Sequence, residues 1–324
     1  MESNSPGSKG VTKGRAARHP AARGGVPLDP IEALLSRLID YAGLFPPAGL
    51  TMADAVSNYA AHLRGPHAWM LGRFVVPEAR LRELEAAVAA LPSAEGAAPW
   101  RLSVLVPPPW EEASRRIGSL GLEEDQPLRL LAVEAVDVRV ERPEDVAAAR
   151  EAFPRTPELY VEPPPHASPE PFLAAIAAAG VRAKIRTGGV SLEQIPGAAS
   201  LAWFMTAARS AGVPFKATAG LHHALRSVRP LTYEPGAPRG LMHGFLNLFL
   251  AAALIRSLGA GAEEALRLIE ERSPSALHLD SRGVAWSGRR LGSEEIALGR
   301  TFALSFGSCS FTEPVADLKE MRWL

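Results

Sequence analysis

Two lysines stand on consecutive short apolar runs, Ala183-Lys184-Ile185-Arg186-Thr187-Gly188-Gly189 and Phe215-Lys216-Ala217-Thr218-Ala219-Gly220-Leu221-His222-His223. If both runs are strands, side chains alternate. Lys184 and Arg186 then share a face, as do Lys216 and Thr218, while Ile185 and Ala217 turn toward covering helices. Charged groups are rarely buried without a partner or a purpose. Glu134, in Val133-Glu134-Ala135-Val136-Asp137, and Glu162, in Tyr160-Val161-Glu162-Pro163, are the expected counter-charges. Two close ammonium groups repel, so one of them has a depressed pKa. A neutral lysine is a nucleophile that condenses with a carbonyl to give a Schiff base. The second lysine and a carboxylate then serve as proton-transfer partners. The competing use of the same residues is a buried ion-pair network without chemistry, a costly filling compared with aliphatic side chains.

The turns after these runs suggest a substrate handle. Thr187-Gly188-Gly189, Thr218-Ala219-Gly220 and Gly307-Ser308-Cys309-Ser310 each follow a candidate strand, and the last precedes a helix expected over Glu313–Met321. Backbone N–H groups at small residues and helix N-termini hold phosphate, and barrels often place that site after strands seven and eight. The expected substrate contacts are therefore Glu162, Arg186, Thr187, Gly188, Gly189, Thr218, Gly220, His222, Gly307, Ser308 and Ser310. Arg186 favours a carboxylate or phosphate on the substrate.

The elements that must carry these residues alternate along the chain. Strands are expected at Ile39–Phe45, Gly72–Val76, Leu102–Val106, Leu130–Val136, Leu159–Glu162, Ala183–Arg186, Phe215–Thr218 and Leu304–Phe306. Helical spacing of apolar residues occupies Glu78–Leu91, Trp110–Leu120, Glu144–Phe153, Pro169–Ala179 and Leu201–Ala211. Such alternation means βαβ units and a parallel sheet, and eight strands suit a closed (β/α)8 TIM barrel. The expected fold class is α/β, with one barrel domain over residues 26–324. The repeat is interrupted at about 224–302, between strands seven and eight. That insertion holds a strongly apolar helix over Leu241–Leu258, another over Ala262–Arg272, and a hairpin near Asp280-Ser281-Arg282-Gly283. Residues 1–25 are rich in Gly, Ser, Ala and Arg, and read as a disordered basic tail.

Lys+Arg and Asp+Glu are both 35, a balance that argues against nucleic acid as a partner. The apolar run Phe245–Ile255 is far short of the roughly 20 residues that span a bilayer, so no membrane partner is expected. Burial in the domain, or in a homo-oligomer interface suggested by analogy with other barrels, accounts for it more simply. The single cysteine, Cys309, fits a cytoplasmic, reducing compartment. No cofactor is expected.

The motifs resemble those of class I (Schiff-base) aldolases of the deoxyribose-phosphate aldolase type, which are (β/α)8 barrels. Lys184-Ile185-Arg186-Thr187-Gly188 is similar to that family's strand-six Lys-x-x-Thr-Gly motif. Lys216-Ala217-Thr218-Ala219-Gly220 is similar to its strand-seven lysine with small residues behind it. Phe306-Gly307-Ser308-Cys309-Ser310 is similar to its phosphate-binding turn. The resemblance implies that Lys184 forms the Schiff base, that Lys216 lowers its pKa, and that Glu134 stands where the family has a strand-four aspartate. Arg186, in place of a small polar residue, and the insertion depart from the family. The implied activity is a lyase acting on a small anionic carbonyl compound. Otherwise the chain resembles uncharacterised bacterial proteins.

Two other readings compete. His222, His223 and His243, with Glu162, could hold a divalent metal for a hydrolase or isomerase. A non-catalytic barrel that binds a small molecule is the third.

Overall fold

A computed structural model of the chain describes residues 29–92, 98–119, 130–154, 156 and 158–324. Eight parallel strands close into a barrel: β1 (Ile39–Tyr41), β2 (Leu71–Pro77), β3 (Trp100–Val106), β4 (Leu131–Arg139), β5 (Glu158–Glu162), β6 (Arg182–Arg186), β7 (Phe215–Thr218) and β8 (Ala303–Ser308). Neighbours pair in order around the ring, and β8 closes it on β1 with Ile39 opposite Phe306. The (β/α)8 expectation is borne out. The expected tail lies outside the described residues.

Outward residues of the strands join the helices in one apolar core, whereas the inward residues are largely polar. On β2 the core takes Phe74 and Val76; on β4, Val136 and Val138; on β5, Leu159 and Val161. The complementary positions, Arg73, Asp137, Tyr160 and Lys184 among them, fill the interior. This alternation follows from the period of two along a strand. It explains why every strand reads as mixed rather than uniformly apolar.

The strand-seven to strand-eight connection is longer than sequence reading expects in structure, if not in length. It carries an antiparallel pair, Ser227–Pro230 with Arg239–Met242, then helices Phe245–Leu258 and Ala262–Glu270. The expected hairpin is a three-stranded sheet of His278–Asp280, Gly283–Trp286 and Arg289–Leu291, and a further helix, Ser293–Arg300, leads into β8. The apolar helix is buried within the domain. Gly244 is its N-cap and Gly259, at φ 67°, stops it in the left-handed conformation. Phe245 stacks on Phe306 of β8 with centroids 5.2 Å apart, and Phe249 lies 5.8 Å from the same ring. The helix therefore does the work of a crossover helix. Its all-round hydrophobicity reflects packing between the barrel and the helix Ser293–Arg300.

Candidate active site

A cavity of about 880 Å3 opens among the C-terminal ends of the strands, and both lysines line it. Register places Lys184 directly opposite Lys216 and Arg186 opposite Thr218. Asp137 of β4 reaches between the two amines. Its Oδ1 lies 2.6 Å from Nζ of Lys216 and its Oδ2 lies 3.4 Å from Nζ of Lys184. Lys184 has a second carboxylate, Glu162, at 3.1 Å. Lys216 instead donates to Oγ of Ser103 at 2.8 Å and sits 4.3 Å above the ring of Tyr160. Ser103 in turn donates to Asp137 Oδ1 at 3.3 Å.

Side-chain exposures of 5% for Lys184, 4% for Lys216 and 3% for Asp137 make desolvation the dominant cost for all three. Burial alone would raise the pKa of Asp137, but the two ammonium groups outweigh it and hold it below the carboxylate range. Glu162 behaves likewise, with Lys184, Arg139 and Arg186 overcoming burial. The lysines part company. Burial lowers both, yet Asp137 and Glu162 together raise Lys184 above its ordinary value. Lys216 has only its share of Asp137 and the more distant Asp40, so burial and the Lys184 charge leave its pKa lowered. The amine that gives up its proton more readily is Lys216.

Glu134 is not in this group. It pairs with Arg73 at 3.0 Å and Arg101 at 2.8 Å, and does not line the cavity. The reason is its height along the strand. Leu102 pairs with Val133 but Ser103 pairs with Ala135, and this bulge lets Glu134 face inward near the start of β4 as Asp137 does near its end. Asp137 lies three residues further on, about 10 Å along the strand by the usual rise. The strand-four carboxylate between the lysines is therefore Asp137, where sequence reading expects Glu134.

Of the expected substrate contacts, Glu162, Arg186, Gly189, Thr218, Gly220, His222 and Gly307 line the cavity; Thr187, Gly188, Ser308 and Ser310 do not. Thr187 is fully buried and its hydroxyl donates to the carbonyls of Thr218 and Ala219, tying the two loops together. Gly188 packs on Gly220: a Cβ on either would approach the other's Cα to 2.8 Å. Ser308 Oγ accepts from Ser310 N, and Ser310 Oγ accepts from Glu313 N at 3.2 Å, capping the helix Thr312–Glu320. These short hydroxyls satisfy local backbone instead of facing a ligand. The Glu313 carboxylate stands in the first turn of that helix, so the charge there is already negative.

The stronger anion handle is elsewhere. Arg186 and Arg139 approach opposite oxygens of Glu162, at 3.5 and 3.6 Å, and both line the cavity. Two guanidinium groups round one carboxylate leave a local cationic excess. Sequence reading passes over Arg139, although its position two residues beyond Asp137 gives it the same inward face. Trp110 also lines the cavity, and its buried Nε1–H has no hydrogen-bond partner. Asp40 of β1 lines the wall and accepts from Arg73 N and Ser305 Oγ, both at 2.8 Å; Tyr41 turns outward onto Tyr59 and Phe74.

The histidines do not converge. His222 Nδ1 meets Glu313 at 2.8 Å, His223 Nδ1 meets Asp317 at 3.1 Å, and His243 Nε2 donates to the carbonyl of Pro196 at 2.8 Å, away from the cavity wall. Among the described residues no group of three His, Cys, Asp or Glu is arranged to hold a metal ion. Also among the described residues, no helix is long and apolar enough to cross a membrane.

Chemically, the cavity offers an amine with a lowered pKa, a charged ammonium beside it, one carboxylate touching both, and two guanidinium groups at the rim. No protein-family model matches this chain, and no curated protein matches it, so the arrangement of these side chains is what speaks to its chemistry.

Proposed function

We propose that this barrel is a class I aldolase-like lyase that forms a Schiff base between a buried lysine and a small anionic carbonyl compound. The observation that carries this reading is Asp137 bridging Lys184 and Lys216 in the wall of an open cavity. A buried ion network needs no cavity above it, and an imine-forming site does.

The resemblance implies Lys184 as the imine-forming residue. The charge balance favours the exchange of roles: Lys216, with the lowered pKa, is the nucleophile, and Lys184 is the permanent cation. Lys216 passes a proton to Asp137, its neutral Nζ adds to the carbonyl carbon, and Asp137 returns the proton to the carbinolamine hydroxyl, which leaves as water to give a cationic iminium. The iminium draws electrons from the adjacent carbon, so a bond there breaks, either C–H or C–C. Asp137 and Glu162 are the bases within reach to take the proton released from carbon or from a β-hydroxyl. The iminium keeps a positive charge beside Asp137, and Lys184 stays on the other oxygen of that carboxylate. Arg186 and Arg139 hold the substrate's carboxylate or phosphate.

Borohydride reduction in the presence of short aldehydes and ketones bearing a carboxylate or phosphate tests this. The expected product is one stable adduct per chain, mapped to Lys216, and lost in Lys216→Met. An adduct mapped to Lys184 would return the roles to those the resemblance implies. No adduct with any compound of the panel would end the Schiff-base reading.

A further inference from the structure

Cys309 is the single cysteine of the sequence, and it lies buried in the cavity wall just past the end of β8. It is not alone there. Its Sγ stands 3.8 Å from Nε2 of His222, and His222 Nδ1 stands 2.8 Å from Oε2 of Glu313. A carboxylate can only accept, so the ring proton belongs on Nδ1 and Nε2 is left facing the thiol. The hydroxyl of Tyr233 donates to the same Glu313 oxygen at 3.0 Å and lies 3.8 Å from Sγ. Asp317, which accepts from the backbone N of Ala224 at 2.9 Å, fastens the loop bearing His222 to the helix Thr312–Glu320. His222 is thereby held by two acidic residues of one helix, one through its own ring and one through the chain beside it.

We propose that Cys309, His222 and Glu313 form a second reactive site on the same cavity, a nucleophile, base and orienting carboxylate that add a thiol to α,β-unsaturated carbonyl compounds. The order of contacts is that of a catalytic triad, with the carboxylate fixing the tautomer and the free ring nitrogen at the nucleophile. Burial works against a charged imidazole, yet the contacts with Cys309 and Glu313 hold the pKa of His222 up at about 9. Tyr233 and Glu313 are the other titratable groups in contact with the pair, and burial pushes Tyr233 up.

The chemistry balances without a further reactant. Nε2 takes the S–H proton, the sulfur lone pair forms a C–S bond to the β-carbon, and the C=C π pair moves toward the carbonyl. The imidazolium returns its proton to the α-carbon. Nothing leaves, and neither partner changes its net oxidation level. Acyl or alkyl transfer would require a departing group, whereas conjugate addition needs only the proton that His222 carries.

Acrylamide is the probe. With one cysteine per chain, intact mass reports the adduct without ambiguity, and Cys309→Ser supplies the blank. An ordinary thiol is only a few per cent thiolate at pH 7, so a preformed ion pair should react about tenfold faster than glutathione, after allowing for the lower nucleophilicity of a more acidic thiol. His222→Gln should abolish the gain, and Glu313→Gln should reduce it severalfold. If His222→Gln fails to fold, the wild-type rate against glutathione and Glu313→Gln decide. A wild-type rate at or below that of glutathione, or a rate unchanged in the folded variants, would overturn the proposal.

Discussion

At the N-terminal end of the barrel, Arg73, Arg101 and Arg182 face Glu134 and Glu158; toward the other end, Lys184 and Lys216 face Asp137 and Glu162. Tyr160 separates the two layers. Its ring lies under the Lys216 ammonium, while its hydroxyl donates to Glu158 at 2.7 Å and accepts from Arg182 at 3.2 Å. Both layers bury charge in pairs, so burial of charge does not by itself mark a site. What differs is the cation. A guanidinium never loses its proton in a protein, and its fork geometry locks carboxylates in place. An amine can trade its proton, and here two amines share one carboxylate beneath an open cavity. The lower layer is a plug and the upper layer has chemistry available to it.

The largest effect should come from converting the upper layer into a copy of the lower one. Lys216→Arg keeps the charge and removes the imine-forming amine; borohydride adducts should vanish while the thermal melt survives. Retained trapping in that variant would mean that Lys216 is not the reacting amine. Asp137→Ala should follow, costing about 3–5 kcal/mol in denaturant unfolding, since it leaves the buried Lys216 ammonium without a carboxylate and Lys184 with Glu162 alone. Glu134→Gln weakens only the plug: a loss of stability is expected, with adduct formation unchanged.

The pH dependence separates the layers more finely. Asp137 and Glu162 have folded pKa values below their unfolded ones. Their contribution is thus present above about pH 4 and drains away as pH falls through the folded values. Asp137→Asn should flatten the acid limb of the stability curve, and an unaltered limb would show that Asp137 is not carrying it. Lys184, raised in the folded state, adds stability that is present below about pH 10.4 and lost as pH climbs past its folded value. The smallest expected change is from Ser103→Ala. It removes one hydrogen bond to Lys216, worth about 1 kcal/mol, and should shift the pH profile of adduct formation by under about one pH unit.

Much of this was legible because strand register is local. Alternation about Lys184, Lys216 and Glu162 is enough to put all three inside a barrel. Glu134 and Asp137 stand an odd number of residues apart, so plain alternation puts only one of them inside; the bulge that lets both face inward is a pairing feature of two strands, and nothing in the residues 131–139 alone announces it. Thr187, Ser308 and Ser310 are polar residues on site-like turns, but each hydroxyl finds a backbone partner that only three dimensions reveal. A compositional signal was available and stronger than any turn. The sequence has just five lysines, Lys9, Lys13, Lys184, Lys216 and Lys319, and is otherwise basic through arginine. Two of five on barrel strands, in a chain that prefers arginine elsewhere, marks positions where arginine will not serve.

The most direct measurement is 15N NMR of the lysine side chains in protein labelled at Nζ. With five lysines the spectrum can be assigned by single Lys→Arg substitutions. The Lys216 resonance should move to the neutral-amine shift as pH rises while Lys184 is still charged. If Lys216 stays an ammonium for as long as Lys184 does, the cavity layer holds no available amine, and it is a second plug.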